Sequence, residues 1–197
     1  MTPGCPVALT GPSGSGKTTL LRLVSGLDMP DSGEVYLNGL LVSSPGYVLE
    51  PHKRDLGFMF QVPALWPHMT VAQNIIFGLD GKPKEEVKKR LHTLIAAVSL
   101  EGLERRYPHQ LSEGQARRVS LARTLAPGPK YLLLDEPLGG LDAELKKSIL
   151  SLIRSEVAGR CACLVYVTHD AAEAGEIASR VITMKNGTIA AGYNKIE

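Results

Sequence analysis

Residues 11–19 read Gly11-Pro12-Ser13-Gly14-Ser15-Gly16-Lys17-Thr18-Thr19, glycines followed by a lysine and two threonines. Gly11, Gly16, Lys17 and Thr18 complete the spacing G-x-x-x-x-G-K-[ST]. Such a loop must wrap tightly enough for backbone N–H groups to converge on phosphate oxygens, and glycine permits the angles and close approach this requires. A helix begun at Lys17 would aim unpaired N–H groups and a positive dipole end at the same phosphates. Lys17 would reach the β- and γ-phosphates, and the Thr18 hydroxyl would bind Mg²⁺.

A second group that could do chemistry is the acidic pair in KYLLLDEP, where Asp135 and Glu136 end an apolar run. Apolar strands do not normally finish on two carboxylates unless something positive or reactive lies nearby. Asp135 suits the surroundings of Mg²⁺, and Glu136 suits a general base that takes a proton from attacking water. Taken alone, an Asp-Glu pair after a strand is as often the solvated start of a loop. The cradle tips the balance toward function.

These groups need elements to position them. PVALT (6–10) reads as a buried strand ending on the glycine loop, and KTTLLRLVSG (17–26) as a helix stopped by Gly26. Asn38-Gly39 marks a hairpin, and LGFMF (56–60) a further strand. From Thr70 to Ala126 the pattern turns helical, with TVAQNIIFGL, PKEEVKKRLHTLIAAV and SEGQARRVSLARTLA at a 3.6-residue period. KYLLL (130–134), CLVYV (163–167) and RVITM (180–184) read as strands, with helices over 142–157 and 170–179 between them and a last hairpin at Asn186-Gly187. Strands alternating with helices at both ends imply an α/β fold with a mostly parallel sheet flanked by helices. The expected division is one domain over 1–197. Its core would span about 1–60 and 128–197, with an inserted helical subdomain over about 61–127.

Composition narrows the classes. The chain has 197 residues, 44% hydrophobic and 21% charged, with net charge +2, the balance of a globular protein of ordinary domain size. That charge is too mild to point to nucleic acid. Cys161 and Cys163 alternate within CACLVYV and read as buried small apolar residues on one strand face. No apolar run approaches the roughly 20 residues that span a bilayer, and no basic-then-apolar leader opens the chain. The expected place is therefore cytoplasmic. The charge run KPKEEVKKR reads as a solvated helix face, and His52, His68, His92 and His109 as surface or loop residues.

The stretch LSEGQARRVSLARTLA, upstream of YLLLDEP, resembles the ATP-binding subunits of ABC transporters. Their LSGGQ signature appears as Leu111-Ser112-Glu113-Gly114-Gln115. FMFQ with Gln61, the GGLD turn ending at Asp142, and VTHD with His169 complete the family's motifs in order across most of the chain. Ser112 and Gln115 also form a capping box on their own account, and a capped helix start with a glycine in its first turn suits an anion.

What the resemblance implies is a P-loop NTPase fold, ATP and Mg²⁺ as cofactors, and hydrolysis driving transport. Two ATP-binding subunits, expected as a homodimer formed on ATP binding, would pair head to tail. Ser112, Gly114 and Gln115 of one would then close on the γ-phosphate held by the other, with Asp142 at the seam. Asp142 would serve equally as a helix cap. Gln61 would join Mg²⁺ and the attacking water to the membrane partner, and His169 would contact the γ-phosphate and orient the water. Thr18, Asp135 and Gln61 make up the implied Mg²⁺ set.

Glu113 departs from the family's glycine. It either points to solvent or weakens its site, and since one side of a capped turn faces the nucleotide, solvent is favoured. Trp66 lies where the family receives a permease helix, and local packing explains it as well. The implied partners are integral-membrane permease subunits and, through them, a solute-binding protein. The chain would sit on the inner face of the cell membrane. LGFMFQVPALWPHMTVAQNIIFGL looks most like import-type subunits. The rival is a soluble ABC-type ATPase remodelling a nucleic-acid or protein assembly. Family members begin with extra strands and a ring stacked on adenine, whereas Met1–Thr10 has no Phe, Tyr or Trp. Weaker ATP binding is the expectation, by roughly 1–3 kcal/mol, or about 5- to 150-fold.

Overall fold

The computed structural model describes residues 5–194, so the first four residues of the ring-free lead-in lie outside the described range. Strand β1 (Val7–Thr10) runs into the glycine loop and helix α1 (Lys17–Ser25) leaves it. Gly26 ends α1 at φ +79°, its N–H returning to the Arg22 and Leu23 carbonyls. Asn38 and Gly39, both at positive φ, turn β2 (Val35–Leu37) back onto β3 (Leu40–Ser44), and β4 (Tyr47–Val48) extends that small sheet. β5 (Leu56–Met59) leads to the helical block.

There, Thr70 and Ser112 close capping boxes that open α2 (Val71–Ile76) and α4 (Glu113–Leu125), with α3 (Lys84–Ala97) between. The chain then returns through β6 (Tyr131–Asp135), α5 (Ala143–Arg160), β7 (Cys163–Val167) and α6 (Ala171–Ile177). It finishes in β8 (Arg180–Lys185) and β9 (Thr188–Asn194).

Among the described residues the main sheet has the order β5-β6-β7-β1-β8-β9, parallel throughout except for β9 at one edge. This is the expected α/β architecture. The strand period of two divides the core between the sheet's faces. Leu132 and Leu134 of β6 join the larger cluster with Ile75, Leu94, Leu121 and Ile149 from four helices. Leu133 turns the other way, onto Leu9, Leu21, Val167 and Met184, the layer closed by α1. Truncating any of these fully buried leucines to alanine should cost about 2–5 kcal/mol.

Two readings of the sequence need correction. α5 continues to Arg160, so Cys161 is its left-handed C-cap (φ +50°) and is exposed, while only Cys163 is a buried strand residue. The two cysteines do not share a strand face. The charge run over 82–90 is mostly solvated, but its last member is not. Arg90 forms paired bonds of 2.7 and 2.8 Å to Glu156 of α5, and it also donates to the Leu125 and Ala126 carbonyls at the end of α4. Burial works against the Glu156 charge, but the hydrogen bonds and charge of Arg90 outweigh it and hold that carboxyl below its ordinary value.

Candidate active site

Because β1, β5, β6 and β7 run parallel, their C-terminal ends share one edge of the sheet, where α/β folds bind ligands. The loop from Gly11, Gln61, the pair Asp135 and Glu136, and His169 all lie at or just beyond those ends. Four motifs separated by up to 158 residues (from Gly11 to His169) are thus brought together by strand direction alone.

Gly11 has φ +139°, and a Cβ there would collide with the Met184 carbonyl oxygen, so glycine is required on both counts. Gly16 is the N-cap of α1 at φ +97°, with no side chain closing the turn, which leaves first-turn N–H groups for an incoming acceptor. Lys17 is 7% exposed. Its Nζ donates to the Gly11 and Pro12 carbonyls at 2.9 Å each and to Ser15 Oγ at 3.4 Å, so the ammonium is held within the loop's own curve. Pro12, Ser13, Gly14, Thr18 and Thr19 are exposed around it.

Thr18 Oγ1 donates to Asp135 Oδ2 at 2.7 Å. Asp135 is buried, and burial pushes its carboxyl above the ordinary value. The Thr18 bond opposes that shift, the neighbouring Glu136 charge adds to it, and Lys17 opposes it. The result is a buried carboxylate that, among the described residues, has no ion-pair partner.

Glu136 follows at φ +48°, a left-handed backbone that costs a residue with a side chain of order 1–3 kcal/mol. Its N–H donates to the Val167 carbonyl at 3.0 Å. Gln61 Nε2 donates to Glu136 Oε2 at 3.4 Å, and His169 Nδ1 stands 3.5 Å from Oε1. Both contacts are long for direct hydrogen bonds. One carboxylate therefore has an amide on one oxygen and an imidazole on the other.

His169 itself is exposed, but the turn beneath it is closed by hydrogen bonds. Asp170 caps α6 by accepting from the Ala172 and Glu173 N–H groups, and those bonds hold its carboxyl below the ordinary value. Glu173 is buried and accepts from Thr168 Oγ1 at 2.8 Å, from Tyr166 at 3.0 Å and from Lys146 of α5 at 2.8 Å. The sequence reading missed Glu173: its place three residues after the cap suits a capping box, but its carboxylate turns instead to Thr168, Tyr166 and Lys146, partners that only packing supplies.

Ser112, Gly114 and Gln115 form the start of α4, with Ser112 Oγ accepting from the Gln115 N–H and Gln115 Oε1 from the Ser112 N–H. Asp142 caps α5 through the Leu145 N–H at 3.0 Å. Among the described residues no hydrogen bond or ion pair joins any of these four to the loop 11–19 of the same chain. Glu113 points into solvent and pairs with Arg117 at 3.1 Å.

Trp66 is 43% exposed and packs on Phe77, itself exposed, with ring centroids 5.6 Å apart. With Phe60, Leu65 and Pro67 they line an apolar groove beside the edge strand β5. Fully buried Asn74 shapes that groove. It accepts from the Trp66 N–H and donates to the Trp66, Met69 and Thr70 carbonyls, a role nothing in its local sequence announced.

The profile of the family described as "ABC transporter" matches residues 1–139. The sulfate/thiosulfate import ATP-binding protein CysA of Synechocystis sp. is 46% identical over 185 residues, covering 93% of this chain and 51% of that protein. The protein of the same name from Caulobacter vibrioides is 49% identical over 189 residues, with 93% and 55% covered. The chain thus spans about half the length of the curated relatives it matches. Among solved structures, a dimeric ATP-binding cassette in a post-hydrolysis state bound to ADP and Pi superposes with a TM-score of 0.87. It shares 32% identity, over 98% of this chain and 87% of that one. A dimeric bacterial ABC transporter cassette does so with a TM-score of 0.88 at the same identity and coverage. With the family profile matching well over half its residues, and a cassette of known structure following nearly all of its fold, the chain belongs to the ABC transporter family.

Proposed function

We propose that the chain binds ATP with Mg²⁺ and hydrolyses it as the motor subunit of an ABC importer. The convergence of Gln61 and His169 on the Glu136 carboxylate, at the edge that also holds the glycine loop, carries this reading. Relatives named as import ATP-binding proteins favour transport over a soluble remodelling ATPase. Sulfate or thiosulfate is accordingly the first cargo to test.

The residues suit the nucleotide and the ion. Gly11 leaves room that no Cβ would leave, Lys17 brings a buried ammonium, and Thr18 with Asp135 offers the hard oxygen donors that Mg²⁺ takes. Thr18, Asp135 and Gln61 would hold the ion, which when bound neutralises charge on the phosphates. Backbone N–H groups of Gly14, Ser15, Gly16, Lys17, Thr18 and Thr19 cradle the phosphates, with Pro12 and Ser13 completing the loop. Glu136 accepts a proton from water as the new P–O bond forms at the γ-phosphorus. The bond to the β–γ bridging oxygen breaks, and ADP leaves with the electron pair. Gln61 and His169 orient that water.

Ser112, Gly114 and Gln115 act on the nucleotide of a second copy, with Asp142 at the seam; that is why they lie apart from the loop of their own chain. The fold divides for this purpose into a core (1–60 and 128–197) and a helical subdomain (61–127) that carries the signature. Among the described residues no helix is long and apolar enough to cross a membrane. On this reading the chain attaches to the cytoplasmic face of the membrane through permease subunits, which dock at the Trp66 groove and receive cargo from a solute-binding protein.

The test pairs phosphate release with light scattering on the wild-type chain and on Glu136→Gln. Turnover should fall about 10²- to 10⁴-fold in the variant, which should dimerise with ATP and Mg²⁺. A wild-type chain without turnover, and a variant monomeric at saturating ATP, would reject the reading.

A further inference from the structure

Arg117 follows Glu113 by one turn of α4, and the two side chains sit in opposite surroundings. Glu113 is 82% exposed and Arg117 only 11%. The guanidinium bridges two groups, since Nη2 donates to Glu113 Oε1 at 3.1 Å and Nη1 donates to the main-chain carbonyl of Glu136 at 3.0 Å. Gly139 makes the space for it, because a Cβ there would stand 3.1 Å from Nη1 and press on the guanidinium.

The carbonyl that Arg117 holds belongs to Glu136, a residue with a side chain in the left-handed region, where the backbone needs support from its surroundings. Glu136 is at φ +48°, and its N–H is tied to Val167 on the other side. With the N–H fixed by β7 and the C=O held by Arg117 at 3.0 Å and, more loosely, by the Gly139 N–H at 3.4 Å, the direction in which the Glu136 side chain leaves the backbone is set. Rotation about the Glu136 backbone torsions would carry the carboxylate away from Gln61 and His169. A buried guanidinium also needs its charge answered, and Glu113 is the carboxylate that does so.

We infer that Arg117 is a positioning residue for Glu136 and that Glu113 tunes it from the surface turn of α4. The inference rests on the proposed role of Glu136 as the base. It assigns Glu113 a function inside its own chain, as the outer end of a three-part link of carboxylate, guanidinium and peptide carbonyl. The departure of Glu113 from the family's glycine thereby gains a physical purpose.

The test uses the full chain and compares Arg117→Gln, Arg117→Lys and Glu113→Gln by steady-state ATP turnover with Mg²⁺ and by amide hydrogen exchange over residues 136–142. Losing a charge-assisted bond to the carbonyl should lower kcat about tenfold in Arg117→Gln. KM should stay within about twofold, because ground-state binding does not run through this peptide. Lysine, which can still donate, should restore most of the loss. Glu113→Gln removes an exposed one-turn ion pair and should lower kcat only about twofold. Exchange over 136–142 should quicken in Arg117→Gln.

A kcat for Arg117→Gln equal to wild type overturns the inference. So does a fall with no rescue by lysine and a matching rise in KM, which marks general loss of structure. If the wild-type chain itself shows no turnover, the hydrolysis reading fails. Exchange, which needs no turnover, then decides whether Arg117 holds the peptide, and unchanged rates overturn that too.

Discussion

The hydroxyl of Thr18 donates to Asp135 at 2.7 Å, across a sequence separation of 117 residues. This bond joins the first turn of α1 to the end of β6, and it leaves a buried carboxylate with a neutral partner. Asp135 is thus kept where a divalent ion would satisfy it, at a cost to the protein that lacks one.

That cost should be measurable. Burial raises the Asp135 carboxyl above its ordinary value, so its contribution to stability is full below the unfolded pKa of about 3.9 and is lost as pH rises through the raised folded value. Asp135→Asn should match wild type in thermal melting near pH 3.5 and exceed it at neutral pH, by roughly 0.5–1 kcal/mol or about 1–4 °C. Mg²⁺-dependent ATP binding should be lost in the same variant. A melting difference that does not change with pH would contradict the buried-charge account.

Glu136 carries the same kind of cost in its backbone. Replacing it by glycine removes the left-handed penalty and adds flexibility to the unfolded chain, for a net gain of about 0.5–1 kcal/mol. Denaturant midpoints should rise in Glu136→Gly while turnover disappears. A lower midpoint would show that the side-chain contacts of Glu136 matter more to folding than its φ.

Arg90 should be worth more than its place in a charge run suggests. Arg90→Ala leaves Glu156 with only its longer 3.3 Å contact to Arg160, and it takes a donor from the Leu125 and Ala126 carbonyls at the end of α4. Discounted for partial exposure, the loss should be about 1.5–3 kcal/mol in urea denaturation at pH 7. The Glu156 carboxyl is held low, so this contribution is present above the ordinary glutamate pKa of about 4.3 and fades as pH falls through the depressed value. The difference between variant and wild type should therefore shrink below about pH 4.

Trp66 and Phe77 form the apolar floor of the groove proposed to receive the permease. Trp66→Ala should weaken co-sedimentation with vesicles carrying permease subunits by at least tenfold, the usual range for a buried aromatic anchor. Because the ring is 43% exposed, the loss of stability should be about 1.5–3 kcal/mol, below the cost of truncating a fully buried tryptophan. Undiminished recruitment would place the docking surface elsewhere.

Much of the architecture was legible because its signals are local. Asn38-Gly39, the capping box at Ser112, and the glycine stop after α1 each encode a turn or helix end within a few residues, and each appears where read. The extent of α5 was not. Its apolar face fades after Val157, and the extra turn to Arg160 moved Cys161 from strand to cap. Asn74, Arg90 and Glu173 looked like ordinary polar residues because what distinguishes them is a partner or a burial that only packing supplies.

By itself, then, the sequence determined the chemistry on offer: a glycine loop with its lysine, the carboxylates ending β6, a capped signature turn, and the order in which strands must deliver them. Residue type and short-range spacing are sufficient for that, since loop closure and helix capping depend on neighbours. Only the tertiary structure decided which oxygen faces which nitrogen. The left-handed φ of Glu136, the Arg117 bond that fixes its carbonyl, and the approach of Gln61 and His169 to one carboxylate all depend on β5, β6, β7 and α4 meeting in space. Those are contacts between residues from 19 to 75 positions apart in the hydrogen-bonded pairs, and no local pattern encodes them.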